Sequence, residues 1–197
     1  MKINKNIPNI ICWIRICLIP FVLLFLLDSP MVESISVSSR ILISGIIFIV
    51  AMLSDIADGK IARKYNLVSD FGKFLDPIAD KMLVLGVLAA FIECGLSSSV
   101  PFLLILAREF LITGIRLTAA SKGEVIAANI WGKIKTVVQG VVMSGMFVYM
   151  YVFSLINPTV SYADFAGVTN ICIWLIAVVT VGSVIPYIKN NGKYLRG

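Results

Sequence analysis

Long apolar stretches alternate with short polar segments along the whole chain. A helix that crosses a bilayer needs about 20 predominantly apolar residues. By that measure the chain contains six predicted transmembrane helices, at about residues 8–28, 40–63, 71–94, 99–121, 131–157 and 166–188. The pattern therefore predicts an all-α integral membrane protein in which residues 1–197 form one membrane-embedded domain.

Basic residues are concentrated in alternate connecting segments. They lie between the second and third predicted helices, between the fourth and fifth, and in the C-terminal tail: Lys60, Arg63, Lys64, Lys73, Lys81, Arg116, Lys122, Lys133, Lys135, Lys189, Lys193 and Arg196. The other connections offer only Arg40. Because Lys and Arg are enriched in cytoplasmic loops, the distribution predicts a multi-pass protein of the cell membrane with both termini in the cytoplasm.

The composition narrows the class of protein further. The chain is 59% hydrophobic and 14% charged, with a mean hydropathy of +0.96, which is too apolar for a soluble domain. Its net charge of +6 is explained by topology and lipid contact, and no basic patch interleaved with aromatic residues favours nucleic-acid binding. The cysteines show no C-x-x-C spacing and histidine is absent, so any bound metal must be held by oxygen.

Four aspartates lie where apolar residues are expected. Asp55 and Asp58 fall late in the second predicted helix and, being three residues apart, share one helix face. Asp76 and Asp80, four residues apart, share a face early in the third predicted helix. The chain turns at about residues 64–70, so both pairs lie about two turns inside the cytoplasmic boundary and can face one another.

These four carboxylates indicate a metal site. A charged side chain at the centre of a membrane span costs roughly 2.5–3.5 kcal/mol, and converging carboxylates also repel one another. One or two divalent cations remove both penalties, and oxygen ligands favour Mg²⁺ or Mn²⁺. The alternative is a set of interfacial salt bridges with Lys60, Arg63 and Lys81, although ion pairing does not explain the acidic repeat on two consecutive helices.

Small residues and an arginine follow the first acidic pair. Gly59 and Ala62 open a notch beside the metal-binding face, because small residues let a ligand approach the helix backbone. Arg63, one turn beyond Gly59, can form paired hydrogen bonds with a phosphate. Gly72 leaves the start of the third helix without a bulky side chain at that position. Ordinary helix packing also accounts for the glycines, but metal, arginine and notch together indicate a nucleotide diphosphate site.

The aspartates, the small residues and the arginine form one spaced motif, Asp55-x2-Asp58-Gly59-x2-Ala62-Arg63-x8-Gly72-x3-Asp76-x3-Asp80. This motif resembles the signature of the CDP-alcohol phosphatidyltransferases and matches it at all eight fixed positions. The signature covers only 26 residues, but the layout of six helices is similar to that family across the whole chain.

The resemblance implies a role for each matching residue. Metal binding is implied for Asp55, Asp58, Asp76 and Asp80, of which Asp80 matches the catalytic proton acceptor. Binding of the CDP-lipid is implied for Asp58, Gly59, Ala62, Arg63 and Gly72, and for Ser69, which falls where the family often has a small hydroxyl. The resemblance also implies a homodimer that uses CDP-diacylglycerol as the phosphatidyl donor.

The acceptor is indicated by three further stretches. Residues 6–16, 107–116 and 132–139 resemble the branch of the family that uses glycerol 3-phosphate. Buried cations need an anionic partner, which independently favours a phosphorylated acceptor. The predicted ligands of its phosphate are Arg108, Arg116, Lys133 and Lys135. Two alternatives stay open, because Glu109 can neutralise one of these cations and long side chains can snorkel to the interface.

Together these features predict one reaction in phospholipid biosynthesis. The phosphatidyl group of CDP-diacylglycerol passes to glycerol 3-phosphate by metal-assisted in-line displacement, which gives phosphatidylglycerophosphate and CMP. Alternative acceptors within the family are inositol phosphate, serine or another alcohol. Two remoter alternatives are a metal-ion transporter, which has no need of the fixed motif spacing, and an intramembrane prenyltransferase, which usually spaces its acidic motifs differently.

Overall fold

The computed structural model is helical in the residues that it describes. The backbone is described at residues 7–64, 70–124, 129–157 and 159–191, and the side chains at 10–54, 78–124, 129–157 and 159–189. The α-helices are α1 (Ile7–Leu26), α2 (Val37–Lys64), α3 (Asp70–Glu93), α4 (Ser99–Ser121), α5 (Ile130–Ile156), α6 (Ala166–Gly182) and α7 (Val184–Asn191), with a 3₁₀ helix at Tyr162–Phe165 before α6. The predicted all-α class is confirmed for this part of the chain.

The first five helices begin and end within three residues of the predicted limits, and the sixth differs more. α4 has the predicted limits, and the limits of α3 and α5 differ from the prediction by one residue at each end. The sixth predicted helix is divided, because α6 ends at Gly182 and α7 begins at Val184. Pro186 explains the break, since it has no N–H to donate to the carbonyl of Gly182 and its ring collides with that carbonyl.

A glycine ends α4. Gly123 has a φ of 78°, in the left-handed region that other residues rarely adopt. Its N–H donates to the carbonyl of Ala120, and the N–H of Glu124 donates to the carbonyl of Ala119, both at 3.0 Å. These are the two hydrogen bonds of a Schellman motif, so carbonyls of the last turn of α4 are paired locally.

Several helical segments have the length and composition of membrane spans. Within the described residues these are Val37–Ser54, Ile130–Ile156 and Tyr162–Lys189, and Ile10–Leu26 forms a shorter apolar helix. Large apolar side chains on these segments are exposed, including Phe21, Ile171 and Ile185. Such exposure is unfavourable in water and is expected against lipid, so these segments indicate a membrane protein.

The chain divides into two compact units, of which the first comprises Met1–Gly95 and Phe147–Asp164. In this unit α1, α2 and α3 pack against one another. The ring of Phe147 lies between those of Phe48 and Phe91, with centroids 5.4 and 5.5 Å away. A glycine makes this approach possible, because a Cβ at Gly45 would lie 3.0 Å from the Cβ of Phe147.

Arg40 caps the C-terminal end of α1 in the same unit. Its guanidinium donates to the carbonyl oxygens of Phe25 at 3.3 Å and Leu27 at 2.6 Å, and to Asp28 Oδ1 at 2.7 Å. The last carbonyls of a helix have no partner within the helix, so the side chain supplies the missing donors. Arg40 is buried as a result.

The second unit comprises Leu96–Met146 and Phe165–Gly197. Within it α4 packs against α6 and α7. One cluster of its apolar core contains Ile112, Ile115, Ala119, Tyr187 and Ile188. The prediction that residues 1–197 form one domain stays a prediction.

Candidate active site

The four predicted metal ligands lie on two consecutive helices of the first unit. Asp55 and Asp58 belong to the last ten residues of α2, and Asp76 and Asp80 to the first eleven residues of α3. The two helices contact each other and are joined by residues 65–69, so both acidic pairs lie towards the same end of the helix pair. Asp80 is half-buried, and the side chains of the other three aspartates lie outside the described residues.

The residues predicted to bind the CDP-lipid continue along the same helices. Gly59, Ala62 and Arg63 belong to the last two turns of α2, and Gly72 to the first turn of α3. The side chains of this group, and the whole of Ser69, lie outside the described residues. Their roles stay predictions.

The donor chemistry of the acidic pairs fits a divalent cation. Carboxylate oxygens are hard ligands, and two pairs at one end of two packed helices can bring several of them to one ion. Histidine is absent from the chain, so no nitrogen-rich alternative exists. The residues present are therefore those that Mg²⁺ or Mn²⁺ prefers.

Glu109 joins two of the four predicted acceptor ligands in the second unit. Arg108 Nη1 donates to Glu109 Oε1 at 3.0 Å, and Lys135 Nζ donates to the same oxygen at 2.5 Å. Arg108 also donates through Nε and Nη2 to the hydroxyl of Ser183, at 3.2 and 3.0 Å. All four side chains are buried. Two cations and one carboxylate leave this group with a net charge of +1, which favours binding of an anion.

The described hydrogen bonds and ion pairs of this group do not include Arg116 or Lys133. The guanidinium of Arg116, an exposed residue, is 6.0 Å from the ring centroid of Tyr187. Lys133 is exposed and only two residues from Lys135, and residues two apart on a helix point to different sides. The structure therefore brings together Arg108 and Lys135, with Glu109 between them.

Arg15 and Ser183 are buried polar residues that were not among the predicted site residues. Arg15 is 1% exposed although α1 is an apolar helix. An arginine inside an apolar stretch is itself a signal of function, and it was visible in the sequence. Ser183 carried no such signal, because only the packing of α4 against α6 and α7 brings its hydroxyl to Arg108.

The fold and the site together define a helical membrane protein with paired acids on two packed helices and a buried cationic group. Residues 5–182 match the model of the CDP-alcohol phosphatidyltransferase family. The chain belongs to this family, which confirms the resemblance found in its motif.

Curated relatives are similar to the chain over nearly its full length. It is 38% identical over 197 residues to the CDP-diacylglycerol–glycerol-3-phosphate 3-phosphatidyltransferase of Bacillus subtilis (strain 168), covering 97% of each chain. It is 36% identical over 195 residues to the protein of that name from Rickettsia bellii (strain RML369-C), covering 98% of this chain and 99% of the relative. The similarity therefore extends far beyond the motif on α2 and α3.

Proposed function

We propose that this chain transfers the phosphatidyl group of CDP-diacylglycerol to glycerol 3-phosphate, giving phosphatidylglycerophosphate and CMP. The observation that carries the proposal is the placement of two acidic pairs towards the same end of the packed helices α2 and α3. The acceptor is supported by the name that curated relatives share over nearly the whole chain.

The metal would be held by the four aspartates of α2 and α3. Asp55, Asp58, Asp76 and Asp80 provide oxygen ligands for one or two ions of Mg²⁺ or Mn²⁺. When bound, such an ion neutralises charge on the diphosphate and on the leaving CMP.

Asp80 is assigned the proton transfer. Its carboxylate accepts the proton of the 1-hydroxyl of glycerol 3-phosphate. The hydroxyl oxygen then forms a bond to the lipid-side phosphorus, while the bond from that phosphorus to the oxygen of CMP breaks and CMP leaves with the electron pair.

The CDP-lipid would lie along the end of the same two helices. Arg63 binds a phosphate through its planar fork, and Gly59 and Ala62 leave room beside the backbone of α2. Asp58, Ser69 and Gly72 complete the set that lines this group.

The acceptor's phosphate would bind to cations of α4 and α5. Arg108 and Lys135 keep a net charge of +1 with Glu109, and Ser183 orients the guanidinium of Arg108. Arg116 and Lys133 are assigned to the same function, as exposed cations that attract the anionic acceptor.

The chain is further proposed to cross the cell membrane six times and to form a homodimer. Within the part of the chain that the structure describes, three apolar segments and one shorter apolar helix support several crossings. The basic connecting segments support a cytoplasmic location for both termini and for the end of α2 and α3 that carries the aspartates.

A panel of acceptors tests the proposed function. Purified protein would receive CDP-diacylglycerol and Mg²⁺ with glycerol 3-phosphate, inositol 1-phosphate, serine or phosphatidylglycerol, and release of CMP would be measured. We expect kcat/KM for glycerol 3-phosphate to exceed that for serine by about two orders of magnitude or more, because a site built for a phosphate is left with unpaired groups by an acceptor that lacks one. A preference for serine would contradict the assignment of the cations, and metal flux into proteoliposomes without release of CMP would contradict the enzyme.

A further inference from the structure

Arg15 is a buried charged residue to which the proposed reaction gives no role. It belongs to the face of α1 that packs inside the first unit, with Cys12, Ile19 and Val22, and it is 1% exposed. A guanidinium keeps its charge under all ordinary conditions, and a charge in an apolar environment requires a partner of opposite sign. The position of Arg15 along α1 therefore indicates which anionic groups its guanidinium can neutralise.

Two contacts define how α1 and α3 are aligned. A Cβ built at Gly86 would lie 3.5 Å from Ile19 Cγ2, and Cys94 Sγ donates to the carbonyl of Leu26 at 3.5 Å. The paired positions are 67 and 68 residues apart, so the helices run parallel with an almost constant offset.

This offset brings the Arg15 side chain towards the level of Asp80 along α3. Its Cα is level with residues 82–83 of α3. Helical side chains lean towards the N-terminus of their own helix, so the guanidinium extends towards the level of Asp80. Ala79 and Leu83, which flank that level on α3, are fully buried.

α2 runs alongside α1 in the opposite direction. The guanidinium of Arg40, near the start of α2, bonds to the carbonyls of Phe25 and Leu27 at the end of α1. Arg15, eleven residues before Leu26, therefore lies level with the middle of α2, and its side chain leans towards the end of α2 that carries Asp55.

We propose that Arg15 is a positioning residue whose guanidinium is the permanent counter-charge of the aspartate cluster. It offsets the repulsion among the four carboxylates and keeps them together before a metal binds. The inference rests on the proposed function, which assigns those aspartates to the metal and Asp80 to the proton transfer.

The test compares two buried arginines of the same unit, with thermal unfolding in detergent measured in EDTA and in saturating Mn²⁺. Arg15→Gln is expected to lower the melting temperature strongly in EDTA and much less in Mn²⁺, because the ion supplies the missing positive charge. Arg40→Gln, the matched control, is expected to lower it equally in both conditions, since its bonds to the end of α1 do not depend on metal.

Mn²⁺ affinity and steady-state kinetics distinguish a counter-charge from a residue that only packs. A residue that only packs would not change these quantities in the directions expected here. Titration calorimetry should show Mn²⁺ bound about tenfold more tightly by Arg15→Gln, because a like charge has been removed from beside the ion. The same variant should show a lower kcat, with KM for glycerol 3-phosphate within about twofold of the wild type, because the carboxylates are less well oriented and the acceptor cations are unchanged.

A double variant keeps the test decisive if Arg15→Gln does not fold in EDTA. Adding Asp80→Asn removes one negative charge and should restore folding of Arg15→Gln in EDTA. Equal losses of melting temperature in EDTA and Mn²⁺, unchanged Mn²⁺ affinity, or no rescue by Asp80→Asn would each overturn the proposal. These measurements need no acceptor, so they stay interpretable if the wild type proves to use an alcohol other than glycerol 3-phosphate.

Discussion

At the scale of the residue, the proposed chemistry depends most on Asp80. It is the one predicted metal ligand whose side chain lies among the described residues, where it is half-buried on α3. Its carboxylate is assigned both to the metal and to the proton of the acceptor. Replacing it by an amide changes the charge and basicity with little change in volume.

Asp80→Asn is predicted to lower kcat by a factor of about 10²–10⁴, because the general base is lost. Release of CMP under saturating substrates would measure the change. The fold should be retained, since removal of one carboxylate reduces repulsion within the cluster.

The matched control for Asp80→Asn is Asp164→Asn. Asp164 Oδ2 accepts hydrogen bonds from the backbone and hydroxyl of Ser161, at 2.8 and 3.1 Å, and asparagine retains an oxygen for this role. The control should transfer phosphatidyl groups at the rate of the wild type. A near-normal rate in Asp80→Asn would remove Asp80 from the proton transfer.

At the scale of the element, one carboxylate connects two helices of the second unit. Glu109 of α4 accepts hydrogen bonds from Arg108 of the same helix and from Lys135 of α5. Removing one member of a buried ion group leaves the others uncompensated, which is more costly than losing the whole group.

Glu109→Gln is predicted to lower the melting temperature by about 10 °C, because two buried cations lose their counter-charge. Thermal unfolding in detergent would measure this loss. Glycerol 3-phosphate should raise the melting temperature of the variant more than that of the wild type, since the cations are then more available to a phosphate.

Glu33→Gln is the control for that prediction. Glu33 is exposed, so its loss should leave the melting temperature almost unchanged. If Glu109→Gln unfolded at the temperature of the wild type, the buried group would not contribute to stability.

At the scale of the whole molecule, activity should depend on a metal that is bound between two helices. The four aspartates come from α2 and α3 as two pairs, so an Mg²⁺ ion held by both pairs receives carboxylate ligands from two helices. Metal binding is therefore a property of the folded helix pair.

Excess EDTA is predicted to stop phosphatidyl transfer by the folded protein, and added Mg²⁺ or Mn²⁺ to restore it, because the carboxylates would repel the diphosphate without a cation. Release of CMP before and after each addition measures the effect. EDTA saturated with Mg²⁺ beforehand serves as the control and should have no effect. Transfer that continued in excess EDTA would contradict the metal site.

The limits of the helices were largely predictable from the sequence. Where the structure differs from the prediction, the difference has a physical reason. The limits of α4 could be predicted because the length of an apolar stretch and a terminal glycine determine them locally. The break between α6 and α7 was missed because the apolar pattern continues through Pro186, and proline is tolerated in membrane helices.

The acidic residues of the candidate site were predictable from the sequence, and the contacts of its cations were less so. A carboxylate in an apolar stretch is conspicuous, and the spacing of Asp76 and Asp80 assigns both to one face. By contrast, Glu109 was expected to neutralise one cation, but its contact with both Arg108 and Lys135 was not predicted, and Ser183 was not identified at all. The contacts of these side chains depend on neighbours that are distant in sequence.

The sequence by itself determined the helices, the family and the acidic motif, because each of these can be recognised from residues that lie close together along the chain. Only the tertiary structure decided that Glu109 lies between Arg108 and Lys135, and that Arg15 lies level with residues 82–83 of α3. The physical reason is that helical periodicity specifies which side chains share a face, whereas the packing of one helix on another specifies the alignment and the partner.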